Sequence, residues 1–171
     1  MRKLEVAEAA RLAAATHGRY RIVQGHYRNL PRSHLLGKLG EFGAEKWLRS
    51  AELSVDAAYR DPAREGGPDV LVRGHGLEVK SWRPDTWSEW GRCVTPAQLP
   101  SIQRKSEAIL WCVVEEADEW ARIELKGWST PQDVAATEIR PTGPSYKPIM
   151  NHQVALDALR DLRDLLDRLQ A

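Results

Sequence analysis

The chain has no apolar segment of about 18 residues, so the sequence predicts no membrane-spanning helix. Its first residues lack the apolar core of a signal peptide, which indicates a cytoplasmic protein. There are only two cysteines, Cys93 and Cys112, without the spacing or histidine partners of a zinc site, and we expect both to be buried free thiols. The patterns G-x-S-x-G, H-E-x-x-H and the P-loop are also missing, which argues against the classes of hydrolase that these patterns mark.

A strong basic excess is missing as well. The 25 Lys and Arg residues nearly balance the 24 Asp and Glu residues, giving a net charge of +1, whereas nucleic-acid-binding proteins often carry a large positive charge. The charge is unevenly placed, because residues 17–38 contain no acid. His and Tyr are interleaved there with basic residues that include Arg28, Arg32 and Lys38. This composition suits contact with a nucleic-acid backbone, or equally a solvated linker between two helices.

The length of 171 residues, with 42% apolar residues, indicates a single domain over residues 1–171. Helical patterns over residues 3–16 and 152–170 predict helices added at either end of a core that spans about residues 33–128. Residues 129–151 are rich in proline and predict an irregular loop. The C-terminal helix carries leucines at near-heptad spacing, so it either packs on its own domain or pairs with a second subunit in a homodimer.

Two short apolar runs flank a glycine-rich turn and predict a β-hairpin. A two-residue type II′ turn at Gly74-His75 would set Asp69 opposite Lys80 and Leu71 opposite Glu78. Because side chains alternate faces along a strand, Asp69, Glu78 and Lys80 would share one face. The other face would be apolar and would hold Val70, Val72, Leu77 and Val79.

The two carboxylates and the ammonium group on this face suit one kind of chemistry. Mg²⁺ prefers oxygen ligands, usually one or two carboxylates with waters and phosphate oxygens. A bound divalent ion activates water and neutralises charge on a phosphate, and a nearby lysine can hold or deprotonate that water. Hydrolysis of a phosphodiester needs all of these parts. The simpler interpretation is a set of cross-strand ion pairs on an exposed face.

An upstream helix offers a third carboxylate. Ser33 is a suitable N-cap, and apolar residues then recur at helical spacing from Leu35 to Trp47. Small residues beside Glu41 would let this helix pack closely on the hairpin and bring that carboxylate to the same site. Glu45, one turn further on, is the rival for this role, and either residue could instead pair with a nearby Lys or Arg.

This pattern resembles the PD-(D/E)XK nuclease superfamily, in which a Pro-Asp at a strand start is followed by Glu-x-Lys on the next strand. The resemblance covers about residues 33–115 and includes Gly40-Glu41-Phe42-Gly43-Ala44, which is similar to the family's first-helix pattern. It implies a restriction-endonuclease-like α/β fold, with a central mixed sheet of four to five strands flanked by helices. It also implies a Mg²⁺-dependent (or Mn²⁺-dependent) endonuclease that leaves 5′-phosphates. The family favours DNA as the substrate, although RNA is not excluded.

The resemblance also assigns roles to residues. Asp69, Glu78 and the carbonyl of Val79 would hold the metal ion, with Glu41 holding a second ion or a ligand water. Lys80 would position or activate the attacking water.

Downstream, the apolar run over residues 108–114 predicts a strand buried on both faces, and the alternating residues 120–125 predict an edge strand. Family members often carry a Gln or Lys beside the active site after the third strand. Gln98 matches best, with Lys105 behind it, although both could equally face solvent.

Trp82 and Arg83 open a Trp-rich segment that directly follows Lys80. They could stack on bases or wedge into a groove, or Trp82 could pack in the core. The alternative to an enzyme is a non-catalytic module of the same fold that binds nucleic acid or protein. The presence of Asp69, Glu78 and Lys80 together argues against this alternative, because a binding module has no need for acids where phosphates lie.

Overall fold

The computed structural model of the chain describes residues 1, 3–19, 31–64, 66–117 and 119–171. The helices within these ranges are α1 (Lys3–Arg19), α2 (Pro31–Ser50), α3 (Pro84–Trp90), α4 (Leu99–Lys105), α5 (Pro131–Ala135) and α6 (Leu162–Gln170). The strands are β1 (Val55–Asp56), β2 (Val70–Val72), β3 (His75–Trp82), β4 (Cys93–Val94), β5 (Ala108–Glu116), β6 (Ala121–Ser129), β7 (Ile139–Thr142) and β8 (Ile149–Gln153). Short 3₁₀ turns lie at Ala58–Arg60, Pro62–Arg64 and Leu156–Ala158. In this part of the chain, no helix is long and apolar enough to cross a membrane.

Five strands form a mixed sheet in the order β1-β2-β3-β5-β6, in which only the β3–β5 pair is parallel. Side chains of β5 alternate between two apolar clusters. Leu110 and Cys112 pack with residues of α1, α2 and α6, whereas Ile109 and Trp111 pack with residues of α3, α4 and α5. This explains why the sequence of β5 is apolar without alternation. The predicted α/β fold, with a mixed sheet flanked by helices and β6 at its edge, is confirmed.

The hairpin forms, but its predicted turn and register are wrong. Val72 pairs with His75, so the turn is Arg73-Gly74, and both residues have positive φ (51° and 93°), as in a type I′ turn. Val70 therefore lies opposite Leu77, two residues from the predicted register. An even shift leaves every side chain on its predicted face, because the side-chain period of a strand is two. The error thus changes which residues are neighbours across the strands but not the composition of either face.

The predicted end of α1 and the predicted start of α2 both need correction. α1 continues beyond the predicted end at residue 16, through the glycine at position 18, to Arg19, since a helical glycine costs only about 1 kcal/mol. α2 begins at Pro31, so Ser33 lies inside its first turn and is not the N-cap. Proline suits the first turn because its missing N–H would have no helical partner there.

The proline-rich region is not an irregular loop, as predicted, but contains α5, β7 and part of β8. The latter two strands join β4 in a second sheet of order β4-β8-β7. Pro141 lies in the edge strand β7, opposite Met150, where its missing N–H costs no ladder hydrogen bond. Cys93 in this sheet and Cys112 in β5 are buried free thiols, as expected.

The predicted C-terminal helix over residues 152–170 is wrong in its first half, which holds the end of β8 and a 3₁₀ turn. α6 begins only at Leu162, where the carboxylate of Asp161 accepts a hydrogen bond from the Arg163 N–H at 2.7 Å. Leu165 and Leu169 are buried in the domain's own core. Of the two alternatives for this helix, the structure shows packing on its own domain, and at nine residues α6 is little longer than one heptad.

Candidate active site

The site lies where β2 leaves β3. The β2–β3 pairs end at Val70 and Leu77, while the β3–β5 pairs continue to Trp82. Beyond Leu77, the edge of β3 that faces away from β5 therefore has no partner strand among the described residues. Asp69 takes up this edge with its side chain, since its Oδ2 accepts a hydrogen bond from the backbone N–H of Val79 at 2.8 Å. The Pro-Asp motif thus ends the hairpin ladder and places a carboxylate beside the middle of β3.

Glu78 is buried between two ammonium groups. Lys80 Nζ lies 2.8 Å from its Oε1, and Lys105 Nζ lies 2.8 Å from its Oε2. Burial by itself would raise the pKa of Glu78, but the charges of Lys80 and then Lys105 outweigh it and hold the pKa below its ordinary value. Glu78 is therefore the carboxylate of the site that stays ionised.

A second Glu-x-Lys pair, on β6, differs from the Glu78–Lys80 pair in its exposure to solvent. Glu124 and Lys126 have the same spacing and the same 2.8 Å ion pair, but their side chains are 53% and 31% exposed. Those of Glu78 and Lys80 are only 7% and 17% exposed. The simpler interpretation expected ion pairs on an exposed face. That exposure describes the β6 pair, which lies within one strand, and not the β3 pair.

Glu41 reaches the same site from α2. Its Oε2 accepts a hydrogen bond from Lys38 Nζ at 2.7 Å, and its side chain is 11% exposed. Burial raises the pKa of Glu41 to about 8, and the negative charges of Asp69 and Glu78 add to this increase, against the lowering effect of Lys38. Lys38, which bonds Glu41, and Lys105, which pairs with Glu78, line the same cleft as Asp69, so the three carboxyl groups belong to one site.

Asp69 is the third member of the cluster. Burial and the charge of Glu78 raise its pKa to about 6, although Lys105, the hydrogen bond from Val79 and Lys80 all lower it. Part of its surface stays accessible in a cleft of about 140 Å³, which Lys38 and Lys105 also line. Carboxyl and ammonium groups thus meet at a place that solvent can reach.

Close packing of α2 on the sheet explains how Glu41 enters. Gly40 lies against Ser81 and Cys112, and a methyl group at this position would overlap the Ser81 hydroxyl and lie 2.8 Å from the Cys112 sulfur. Only a glycine permits this approach, which brings the next residue, Glu41, to the end of the hairpin.

Glu45, the rival of Glu41, lies in a separate network. Its carboxylate accepts hydrogen bonds from Tyr59 Oη at 2.5 Å, from Arg60 at 2.7 and 2.9 Å, and from Arg49 at 3.0 Å. Arg60 also bonds Glu8 of α1 at 2.6 Å. Every oxygen of Glu45 is thus used in joining α1 and α2 to the turn before β2, and this residue has a structural role.

Of the two accessory candidates, Lys105 is the one in contact with the acids. The backbone of Lys105 packs against Gly76 of β3, where an added methyl group would overlap the Lys105 carbonyl oxygen. The sequence ranked Gln98 first, but Gln98 lines a neighbouring cleft beside Lys80. The glycine at position 76, in a strand interior, was the available signal for a close backbone contact.

The predicted nucleic-acid contacts are scattered. Arg28 lies outside the described residues. Arg32 bonds Glu116 at 2.7 Å, and Lys38 is a member of the site itself. The Trp-rich segment is not a loop but forms α3. Trp82 is partly buried and packs on the second apolar cluster, while Arg83 is exposed.

The donor set suits a hard cation. Three carboxylates and a backbone carbonyl are the oxygen ligands that Mg²⁺ prefers. Burial raises the pKa values of Glu41 and Asp69, and a bound cation would favour their ionised forms. In the conformation described, however, no group of three acidic, His or Cys side chains among the described residues is arranged around a common metal position. The ammonium groups of Lys38, Lys80 and Lys105 pair with the carboxylates instead. Side-chain rotation would therefore have to accompany metal binding.

Comparisons with known proteins give no relative of this chain. No protein-family profile matches it. No curated protein matches its sequence, and no solved structure matches its fold. Conclusions about its activity rest on the geometry and chemistry of the site described above.

Proposed function

We propose that the chain is a metal-dependent deoxyribonuclease of the PD-(D/E)XK type, on a restriction-endonuclease-like fold. The observation that carries the proposal is the placement of Glu41, Asp69 and Glu78 at one cleft, through Lys38 and Lys105, although they are separated by up to 37 positions in the sequence. Collecting three carboxylates at a partly accessible site costs free energy, because each disfavours the ionised form of the others. A site that binds a cation and a phosphate accounts for this cost.

Each residue of the cluster has a role in this proposal. Asp69, Glu78 and the carbonyl of Val79 would hold Mg²⁺ or Mn²⁺, and Glu41 would hold a second ion or a ligand water. The bound ion would supply activation of water and neutralisation of phosphate charge. Lys80 would orient the attacking water or take its proton. Lys105, on the other oxygen of Glu78, would stabilise negative charge on the reacting phosphate.

One observation favours the alternative, a non-catalytic binding module of the same fold. Three ammonium groups already neutralise the carboxylates, so the site is satisfied electrostatically without a metal ion. A module that only binds nucleic acid would need no more than this. The two proposals differ in whether DNA is cut.

The test is cleavage of supercoiled plasmid and of single-stranded DNA with Mg²⁺ or Mn²⁺. We expect Glu78→Gln and Lys80→Met to abolish cutting. The exposed pair on β6 offers matched controls, Glu124→Gln and Lys126→Met, which should cut like the unmodified protein. Cutting that survives Glu78→Gln would show that the site is elsewhere or the preparation is contaminated. Binding of DNA without any cutting would favour the module.

A further inference from the structure

A second cleft adjoins the site on the far side of Lys80, and we call it the Trp82 cleft. It has a volume of about 230 Å³ and lies between the end of β3, the first turns of α2 and α3 and the turn before α4. The residues that bound it and matter here are Ser33, Lys80, Trp82, Arg83, Thr86 and Gln98. Pockets for drug-sized ligands are larger, at about 300–1,000 Å³. The cleft suits a single ring system.

We propose that the Trp82 cleft receives one unpaired nucleobase of the substrate strand, so that the preferred substrate is single-stranded DNA or DNA with an unstacked nucleotide. This inference rests on the proposed function, because it takes Lys80 to meet the reacting phosphate. Lys80 joins the two places physically, since it bonds Glu78 and also lines the cleft. A nucleotide whose phosphate lies at this ammonium has its own base, or the adjacent one, next to the cleft.

The lining has the chemistry of a base pocket. A nucleobase needs an aromatic or apolar surface for its ring and polar groups for its edge. Trp82 and the aliphatic part of Lys80 supply the first, while the Gln98 amide and the Thr86 hydroxyl supply the second. Arg83 adds positive charge for the flanking phosphate. Its one ion pair, with exposed Asp85 at 3.3 Å, is weak enough to be exchanged.

Trp82 can adjust to a ligand without losing a hydrogen bond. Its indole nitrogen is buried and has no hydrogen-bond partner among the described residues. A buried N–H without a partner is unfavourable, so movement of the ring breaks no hydrogen bond and can gain an acceptor. This position argues against one of the roles expected of Trp82, that of a wedge in a groove. A partly buried side chain packed on the core cannot project into a groove, so the base has to come to the tryptophan.

Base pairing opposes entry into such a cleft. A paired base must first be unpaired and unstacked, which costs free energy, whereas a base in a single strand is already accessible. The cleft therefore predicts a preference for unpaired nucleotides that an open phosphate-binding surface would not have.

The test uses a fluorescently labelled 12-nucleotide single strand and the duplex of the same sequence as probes, with binding followed by anisotropy. The Glu78→Gln variant prevents cutting during the measurement. We expect the single strand to bind at least tenfold more tightly than the duplex. Adding Thr86→Phe, which fills the cleft without removing a charged group, should abolish this difference. Adding Trp120→Phe instead, at an exposed position away from the cleft, should leave it unchanged.

The outcomes separate this inference from the proposed nuclease. Equal affinity for both probes, no effect of Thr86→Phe, or no binding of either probe would overturn the base pocket, even if plasmid is cut. A single-strand preference that depends on the cleft would support it, even if no DNA is cut. A folding defect in Thr86→Phe would show in its circular dichroism, and Gln98→Ala, which removes a polar group from the wall, then serves as the second variant. It is expected to reduce the preference, and an unchanged preference would count against the pocket.

Discussion

Asp69 accepts a hydrogen bond from the backbone N–H of Val79, ten residues further along the chain, at 2.8 Å. This bond gives the Val79 N–H an acceptor beyond Val70–Leu77, the last pair of β2 with β3. One residue therefore ends a hairpin, satisfies a backbone donor and supplies a carboxylate to the cluster. The structural and chemical roles of Asp69 can be separated by substitution.

Asp69→Asn and Asp69→Ala should have different effects on stability. Asparagine keeps an acceptor for the Val79 N–H and removes a charge that repels Glu41 and Glu78. Alanine leaves that N–H without its partner, at a cost of about 1–3 kcal/mol. We expect Asp69→Ala to unfold at clearly lower urea concentration than Asp69→Asn, with both inactive in cutting. Equal urea midpoints would show that the hydrogen bond contributes nothing measurable.

Gly40→Ala should be destabilising by about 1–3 kcal/mol, because the new methyl group overlaps Ser81 and crowds Cys112. The matched control is Gly37→Ala, one turn earlier in α2, where nothing lies within 4 Å of the added group. That change should stabilise the protein by about 0.5–1 kcal/mol, since alanine is the better helix former. Urea unfolding of both variants gives the measurement. If the two changes have the same sign, α2 does not pack on the sheet as described.

Stability without divalent ions should fall as the pH rises through neutrality. The pKa of Glu41 is raised from 4.5 to about 8, and that of Asp69 from 3.8 to about 6. Between the unfolded and folded pKa values the folded protein binds more protons than the unfolded chain, so an increase in pH favours unfolding. The slope is at most about 1.4 kcal/mol per pH unit for each proton.

Unfolding in urea with EDTA at several values between pH 5 and pH 8 measures this slope. Glu41→Gln should flatten the curve above pH 6, where Asp69 contributes less. Glu52→Gln, at an exposed position just after α2, serves as the control and should retain the slope. Stability that rises over this range in the unmodified protein would contradict the raised pKa values.

Lys105→Met should raise the pKa of Glu78, because the ammonium group 2.8 Å from its Oε2 is lost while its burial remains. Carboxyl ¹³C chemical shifts, followed during a pH titration, report this change directly. Arg104→Met removes a neighbouring, exposed positive charge and should leave Glu78 unaffected. An identical titration in both variants would mean that Lys105 does not lie against Glu78.

Local patterns were sufficient for much of the fold. The apolar run of β5 and the alternation of β6 predicted a central and an edge strand, and both form. The hairpin faces were also predicted correctly, since period two survives an even shift in register. The predicted position of the turn, Gly74-His75, is wrong because Arg73 adopts a positive φ. Such a conformation is uncommon outside glycine, so the sequence does not indicate it.

The second sheet could not be predicted from its own residues. β7 contains a proline and is held by pairing with β8, which in turn pairs with β4 more than 50 residues earlier in the chain. Strands of this kind depend on distant partners more than on intrinsic propensity. The same limit affects the C-terminal helix, because the leucine spacing begins at Leu156 in a 3₁₀ turn, before α6 starts at Leu162.

The sequence by itself determined the chemical content of this protein: a Pro-Asp, a Glu-x-Lys and a helix with a carboxylate beside glycines. Only the tertiary structure separated Glu41 from Glu45, brought Lys105 to Glu78 and distinguished the buried Glu78–Lys80 pair from the exposed Glu124–Lys126 pair. The physical reason is that burial and distance between residues far apart in the chain set these electrostatic environments. Spacing along the sequence fixes neither.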